Sequence, residues 1–414
     1  MFSKKHILKW FLLAFAIETL CATYGLKIAS HTAVVSIIYF LAGLAITMLI
    51  VLIPPPDNNP VQPFVSNKFN KYFRWLVFLI MITMAYIVAH YWFDLIPIDI
   101  DFADMLPVIK VMNERFVAGQ WKHVYDNIPE IWNGTNPVYL PAMWLTFSPA
   151  ILFHFDMRWI TVACLLFAFG VFLFKLDFTK KNLTAFCSLI IACILFWWMF
   201  AEDDAHGLLS MSEEGVVIFY YSLIVLALFS GNIVFIGIAT SLCILSRYAL
   251  IGWIPAFIFY LLLNQKKKET VIFICTGMTC FLFLLIFPFG WNVFTRLVSL
   301  PDKYIDFASI VWKDSREVFW LSLGFAKFFG EDKTGLLHYL LIALTFTVPL
   351  LFVGTCYYLN RKRKIYNVPV AALKISVVVF LNFIDVPYLY LFYTSSFVSL
   401  IIVGFLIKSA NTDI

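Results

Sequence analysis

The chain has few charged residues: of its 414 residues only 13% are aspartate, glutamate, lysine or arginine, and 62% are hydrophobic. A soluble domain carries about 25% charged residues, so a water-soluble fold is excluded. Windows of about 20 residues with almost no charge recur along the chain, each long enough to cross a hydrocarbon core about 30 Å thick. The composition therefore predicts an all-α integral membrane protein that crosses the bilayer many times.

Several kinds of site also lack their sequence signs. The eight cysteines show no C-x-x-C or zinc-finger spacing, which argues against a disulfide framework or a metal cluster. The net charge of +5 is modest and says nothing about nucleic acid, because the positive residues cluster at span ends. We expect no nucleic-acid partner. No soluble domain and no internal repeat is visible, and we predict one membrane domain over residues 1–414 in contact with membrane lipids.

The apolar windows predict a bundle of about 11–13 transmembrane helices. They cover 7–28, 32–53, 75–93, 138–155, 159–176, 184–201, 215–230, 232–264, 271–290, 336–359, 369–385 and 388–408. The window 232–264 would measure about 50 Å as one helix, which is too long for a single span. It carries Arg247 and Pro255 in its middle. We therefore predict two short helices or one broken helix there.

Lysine and arginine clusters set the predicted orientation, because they stay on the cytoplasmic side. They lie at 4–9, 68–74, 175–181, 266–268 and 361–364. This orientation places two long polar loops, 94–137 and 291–335, outside, and the turn 201–214 and the bend at Arg247 face the same side. Windows 138–155 and 159–176 cannot both cross under this rule. Because the first contains Pro141 and Pro149, we expect it to be short or tilted.

The first outer loop contains three carboxylates and a helical pattern. Asp99, Asp101 and Asp104 follow a span, and apolar residues recur at helical spacing over 102–118. We predict an amphipathic helix on the membrane surface, with Asp101 as N-cap, Asp104 in the first turn and Gly119 at its end. The carboxylates suit a divalent cation or a general base, and helix capping with solvated charge is the structural alternative.

The same loop carries a sequence resemblance. The acidic residues are followed by Gly119, Tyr125 and then Tyr139-Leu140-Pro141 at the start of the next apolar segment. This pattern resembles the first extracytoplasmic loop of the GT-C glycosyltransferases. It is most similar to glycosyltransferase family 87, the polyprenyl-phosphate-mannose-dependent mannosyltransferases.

A second segment, 231–268, agrees with the resemblance. It is rich in small residues and has a basic residue mid-membrane, a proline soon after and a basic cytoplasmic end. The resemblance covers about residues 99–270, with general GT-C topology beyond. The chain departs from the family at Arg247, where lysine is commoner, and at Tyr139-Leu140-Pro141, where two prolines are usual.

The resemblance implies a GT-C-like bundle and an inverting transfer of a mannose-like hexose. The donor would be a polyprenyl-phosphate sugar, and the acceptor an extracytoplasmic lipid or glycan. An aspartate of the first loop would be the general base. Spacing to Gly119 and Tyr125 favours Asp104 for that role, whereas closeness to the span end favours Asp101. Asp99-x-Asp101 also resembles the looser DxD of other GT-C families.

The remaining candidate site residues lie on the same predicted side. Arg247 is the candidate cation for a lipid phosphate, with the Tyr248 hydroxyl beside it, because an arginine inside a membrane is usually paired or functional. A structural pair with a loop carboxylate is the alternative. Tyr125, Tyr139, Asp99 and His206 are candidate substrate contacts.

Three further polar segments have both a functional and a structural interpretation. The turn containing Glu202, Asp203, Asp204, His206, Glu213 and Glu214 suits a metal or acceptor hydroxyls, but we favour a solvated, capping turn. The loop 291–335 interleaves basic residues with tryptophans, which predicts a lid or an aromatic belt. Tyr388 and Tyr390 suit a sugar pocket or the same belt.

Two other functions compete with an enzyme. A transporter or flippase of lipid-linked saccharides would show inverted repeats and ionisable residues deep in several spans. A non-catalytic subunit of a polysaccharide assembly complex is the second alternative. Because the acidic residues gather in loops on one side, we favour an enzyme whose active site faces the extracytoplasmic side.

Overall fold

The computed structural model of the chain describes residues 4–27, 32–54, 68–178, 182–300 and 303–410. Within these ranges the secondary structure is helical, apart from one isolated antiparallel bridge between Ile128 and Thr135. Apart from Pro54, the proline-rich segment 54–63 lies outside the described residues.

Twenty α-helices follow one another along these ranges. The first ten are α1 Lys4–Ala22, α2 Thr32–Ile50, α3 Lys68–Leu95, α4 Met105–Val117, α5 Pro141–Leu145, α6 Ser148–Leu152, α7 Arg158–Lys175, α8 Leu183–Ala201, α9 Asp203–His206 and α10 Glu214–Ser230. The others are α11 Ile233–Ile244, α12 Trp253–Leu263, α13 Lys267–Phe281, α14 Phe287–Val298, α15 Tyr304–Asp314, α16 Glu317–Trp320, α17 Ala326–Phe329, α18 Thr334–Asn360, α19 Val368–Phe383 and α20 Tyr393–Ala410.

Among the described residues, seven helices are long and apolar enough to cross a membrane, as expected of an all-α, multi-pass membrane protein. They are Thr32–Ile50, Lys68–Leu95, Arg158–Lys175, Leu183–Ala201, Lys267–Val298, Glu331–Asn360 and Leu389–Ile407. Apart from the window 7–28, whose helix α1 has 19 residues, the other predicted windows form apolar helices of 10–17 residues. These are about 15–26 Å long, so all of them are shorter than the hydrocarbon core.

The segment Pro141–Leu152 begins and ends on one side of the bundle. Arg158, at the start of α7, donates hydrogen bonds to the carbonyl oxygens of Phe93 and Ile96 at the end of α3. The chain between these two helices therefore returns to the side from which it left. The prolines of this segment stand in the first turns of two five-residue helices, α5 and α6. The expected short element is confirmed. Because this segment does not cross the bundle, all the basic clusters can lie on the side opposite to the end of α3 and the start of α7.

We call the end of the bundle to which α3 runs the outer end, since the charge pattern predicts it to be extracytoplasmic. Helix α8 ends there too, because Trp92 of α3 donates a hydrogen bond to the carbonyl of Phe200. The predicted break in 232–264 is confirmed: α11 ends at Ile244, a short 3-10 helix covers Tyr248–Leu250, and α12 begins at Trp253.

The amphipathic helix of the first outer loop exists, but two details of its prediction are wrong. It begins at Met105, so Asp104 is the N-cap and Asp101 lies outside the helix. Its apolar face is buried in the protein through Leu106, Val108, Ile109 and Met112. Asn113 donates to the carbonyl of Trp144, and Ser148 donates to the side-chain Oδ1 of Asn113. Helix α4 is buried against α5 and α6, and this packing determines its limits and its position. A helical pattern in the sequence cannot indicate such contacts.

Two charged side chains lie within the bundle. Lys374 of α19 contacts Glu18 of α1 at 2.5 Å, and both side chains are fully buried. Ser395 and Ser399 of α20 donate hydrogen bonds to the same carboxylate. The prediction that the acidic residues gather only in outer loops is therefore wrong. Glu18 was overlooked because a single glutamate in an apolar window gives no sign of its partner.

Candidate functional site

Arg247, at the bend between α11 and α12, forms ion pairs with two carboxylates. Its Nη1 lies 2.8 Å from Oε2 of Glu214, and its Nη2 lies 3.2 Å from Oε1 of Glu213. Thr394, at the start of α20, donates a hydrogen bond to the other oxygen of Glu214. Both glutamates are buried, and 15% of the arginine side chain is exposed. Three segments distant in sequence therefore meet at one cation.

The local sequence explains why these groups point toward one another. Glu213 is the N-cap of α10 and Glu214 its first residue, where the positive end of the helix dipole favours carboxylates. The hydroxyl of Ser212 accepts a hydrogen bond from the Glu214 amide at 3.3 Å. Arg247 has an extended backbone between α11 and α12. Its side chain therefore does not take the direction that it would have within a helix. The predicted capping turn is found here, but its glutamates are buried rather than solvated. The alternative prediction that Arg247 pairs with a loop carboxylate is what the structure shows.

Asp104 of the first outer loop faces this arrangement. Its side chain makes no capping hydrogen bond, and burial raises its pKa. Burial also raises the pKa of Glu213. The positive charge of Arg247 lowers this pKa, whereas the negative charge of Asp104 raises it further. Burial raises the pKa of Tyr139 as well, with further contributions from Glu213 and Asp104. The structure thus brings Asp104, Glu213 and Tyr139 within electrostatic range of one another.

Asp99 and Asp101 do not join this group. A side-chain oxygen of Asp99 accepts a hydrogen bond from the amide of Asp101 at 3.1 Å, which closes a local turn. Both residues are exposed. The two alternatives for the general base are therefore placed differently, since only Asp104 is half-buried beside other ionisable groups.

The three predicted tyrosines have different surroundings. Tyr125 donates to the carbonyl of Tyr139 and accepts from the indole of Trp144, so its hydroxyl is engaged in holding the loop together. Tyr248 donates to the carbonyl of Leu297 at 2.9 Å, away from the charged pairs. Tyr139 alone lies near both Asp104 and Glu213. We therefore retain Tyr139 as a candidate substrate contact and assign the other two to packing of the outer loops.

The turn that contains His206 is built as a structural unit. Asp203 accepts hydrogen bonds from the amides of Leu209 and Ser210, and Glu202 pairs with Lys27 at 2.9 Å. Burial lowers the pKa of His206, whose ring lies 5.2 Å from that of Tyr393. The capping role is confirmed, but the turn is not solvated throughout, because Asp203 and His206 are buried.

The second long outer loop packs over the outer end through short helices. Arg296 donates to the carbonyls of Tyr125 and Pro137 and so ties this loop to the first one. Trp312 and Phe319 stack with ring centroids 3.8 Å apart, and that pair packs with Val386. Trp312 and Phe319 therefore belong to a small core of their own, whereas Trp291 and Trp320 are exposed.

A buried histidine–aspartate pair lies next to this small core and was not predicted. His338 Nδ1 is 2.8 Å from Asp385 Oδ2, and both side chains are nearly fully buried. Burial raises the pKa of Asp385, and the hydrogen bond from His338 opposes that effect. Tyr304 lies within electrostatic range of Asp385, Arg247 and Glu213. The His338–Asp385 pair therefore lies beside the charged residues around Arg247.

No group of three or more histidine, cysteine, aspartate or glutamate side chains suited to a metal ion occurs in the part of the chain that the structure describes. Glu213 and Glu214 contact a single guanidinium and Asp104 lies within electrostatic range of Glu213, so the arrangement is rich in proton acceptors. Its chemistry suits the withdrawal of a proton from a hydroxyl group beside a cation.

Comparisons of the chain with protein-family models, with curated proteins and with solved structures find no match. The functional argument therefore depends on the residues of the outer end.

Proposed function

We propose that the chain is a GT-C-like membrane glycosyltransferase, similar to glycosyltransferase family 87. It transfers a mannose-like hexose, with inversion, from a polyprenyl-phosphate donor to a lipid or glycan acceptor on the extracytoplasmic side. A donor of this kind resides in the membrane and needs no nucleotide-binding domain. The predicted orientation and the clustering of ionisable groups at the outer end support the proposal.

The observation that carries the proposal is the position of Asp104. Its carboxyl group is half-buried, makes no capping hydrogen bond and lies near Glu213 and Tyr139. A general base works best when its pKa lies closer to the working pH than that of a solvated carboxyl group. Burial moves the pKa of Asp104 in that direction.

The reaction is a displacement at the anomeric carbon. Asp104 accepts the proton of the acceptor hydroxyl, whose oxygen forms the new glycosidic bond while the bond to the lipid phosphate oxygen breaks. The phosphate leaves with the electron pair, and Arg247 is the cation placed to stabilise its charge. Tyr139 is positioned to contact the sugar or the acceptor.

An apolar groove beside α10 suits the hydrocarbon chain of the donor. It has a volume of about 450 Å³ and is lined by residues that include Trp159, Cys164 and Phe219. Trp159 and Phe219 lie in the outer halves of α7 and α10, and α10 begins at Glu214.

A transporter of lipid-linked saccharide is the second candidate, and the buried Lys374–Glu18 pair is the observation that favours it. Ionisable residues deep in a bundle often belong to a transport path. Here, however, the ammonium group has three hydrogen-bond acceptors, and both carboxylate oxygens accept hydrogen bonds. We therefore favour a static connection between α1, α19 and α20.

The test is a transfer assay with purified protein and radiolabelled polyprenyl-phosphate sugars. We expect Asp104→Asn to lower turnover by about 10²- to 10⁴-fold, because the general base is lost. Asp101→Asn is the matched control and should stay close to wild type. For the wild type, turnover should fall as the pH drops through the raised pKa of Asp104, since the base becomes protonated. Equal turnover of Asp104→Asn and wild type in folded protein would contradict the assignment.

A further inference from the structure

The two carboxylates that contact Arg247 are held unequally. Glu214 forms an ion pair with the guanidinium at 2.8 Å and also accepts a hydrogen bond from Thr394. Glu213 makes one contact at 3.2 Å through its Oε1. The Oε2 atoms of both glutamates are buried without a hydrogen-bond partner among the described residues, but that of Glu214 lies 2.8 Å from Nη1 of Arg247, whereas no ion pair is found for that of Glu213. A buried carboxylate oxygen without a partner is costly. Glu213 is therefore the weaker of the two ligands of Arg247.

The charge balance also disfavours ionised Glu213. One guanidinium contacts the carboxylates of Glu213 and Glu214, and Asp104 lies within electrostatic range of Glu213, so the cluster carries excess negative charge when all three are ionised. Among the described residues, the ionisable groups found within electrostatic range of Glu213 are Arg247, Glu214, Asp104, Tyr139, Tyr304 and Tyr390. Arg247 is the only cation among them. A further anion can enter only if another negative charge is removed.

We propose that Glu213 is a placeholder for a phosphate oxyanion: a lipid phosphodiester binds Arg247 where Glu213 now does, and Glu213 takes up one proton as it leaves. The identification of the anion as a lipid phosphodiester rests on the proposed function. The exchange forms and breaks no covalent bond. One anionic charge enters and one is neutralised by a proton from solvent, so the net buried charge stays constant. Glu214, held by Thr394, keeps the guanidinium in position during the exchange.

The exchange predicts that binding of the phosphodiester is linked to pH. In the free protein Arg247 stabilises ionised Glu213, whereas in the complex a phosphate takes that place and the pKa of Glu213 is higher. Between these two pKa values, binding takes up a proton, so affinity falls as the pH rises. Uptake of one proton corresponds to about a tenfold loss of affinity per pH unit.

The experiment measures binding of didecyl phosphate, a phosphodiester that does not titrate near neutral pH, to the full-length protein in detergent. Calorimetry at about pH 6, 7 and 8, in buffers of different ionisation enthalpy, counts the protons taken up. We expect up to about one proton per ligand for wild type and none for Glu213→Gln. Glu213→Gln should also bind more tightly than wild type at the highest pH, because no carboxylate competes for Arg247. Glu202→Gln, which removes an exposed carboxylate of the same outer end, should keep the wild-type proton uptake.

Two results would overturn the exchange. One is pH-independent binding to wild type without proton uptake, which needs no variant and so does not depend on whether Glu213→Gln folds. The other is weaker binding by folded Glu213→Gln at every pH, which would make Glu213 a direct ligand. Absence of binding would overturn it as well.

Two further measurements separate this inference from the proposed function. Dimethyl phosphate has the same anionic group without the chains. If it bound as tightly as didecyl phosphate, the exchange at Arg247 would stand and a lipid donor would be contradicted. If sugar transfer occurred while wild type bound didecyl phosphate without proton uptake, the transferase would stand and the exchange would be overturned.

Discussion

Removing the buried ammonium group of Lys374 should destabilise the protein more than removing an exposed one. Its Nζ contacts Glu18 Oε1 at 2.5 Å and donates to the carbonyl and hydroxyl of Ser395 at 2.9 and 2.7 Å. Lys374→Met would leave the Glu18 carboxylate buried with hydrogen bonds from serines but no cation. Breaking a buried ion pair in this way costs about 3–5 kcal/mol.

Replacing both partners has a different expected effect. Glu18→Leu combined with Lys374→Met leaves no uncompensated charge, and such replacements are neutral or stabilising by about 1–4 kcal/mol. The double variant should therefore be at least as stable as wild type. Lys27→Met is the matched control: it breaks the more exposed pair with Glu202, at a cost of about 1 kcal/mol or less.

The assay is equilibrium unfolding in mixed micelles, followed by sugar transfer with each variant. If Lys374→Met lowered the free energy of unfolding no more than Lys27→Met does, the view that Glu18 depends on the ammonium group of Lys374 would be refuted. Transfer activity that returns in the double variant would show that the pair only connects helices. A stable double variant without activity would instead assign the pair a functional role and favour transport.

Two further changes test other packed regions. Burial lowers the pKa of Lys327 to about 8, against the ordinary value of 10.5. Between these two pH values the unfolded state binds more protons than the folded state, so the stability of the protein should rise with pH there. Lys327→Met should raise the melting temperature at neutral pH and abolish that rise, and an unchanged slope would contradict the assignment. Gly252→Ala should destabilise by about 1–3 kcal/mol or more, because its Cβ would meet the Thr345 carbonyl oxygen of α18 at 1.8 Å. Gly335→Ala, where the Cβ would meet nothing within 4 Å, is the control, and equal melting temperatures for the two variants would contradict this contact.

Composition and periodicity determined the class of this protein and much of its local structure. The charge-poor windows, the break around Arg247, the short element at 138–155 and the helix that ends before Gly119 follow from neighbours along the chain. Hydrophobic transfer, helix length and proline stereochemistry act over a few turns, so a sequence reveals them directly. The gathering of polar residues at the outer end was predicted on the same basis.

The assembled site depended on tertiary packing. Arg247 and Glu213 are 34 residues apart in sequence, and Lys374 and Glu18 are 356 apart. Nothing in the local pattern of either partner indicates the other, because each contact depends on how whole helices stack. The same packing half-buries Asp104 near Glu213 and leaves Asp101 in an exposed turn. The sequence therefore determined that carboxylates and an arginine share the outer end. Tertiary structure alone decided which of them meet, because burial and electrostatic pairing arise only in the folded chain.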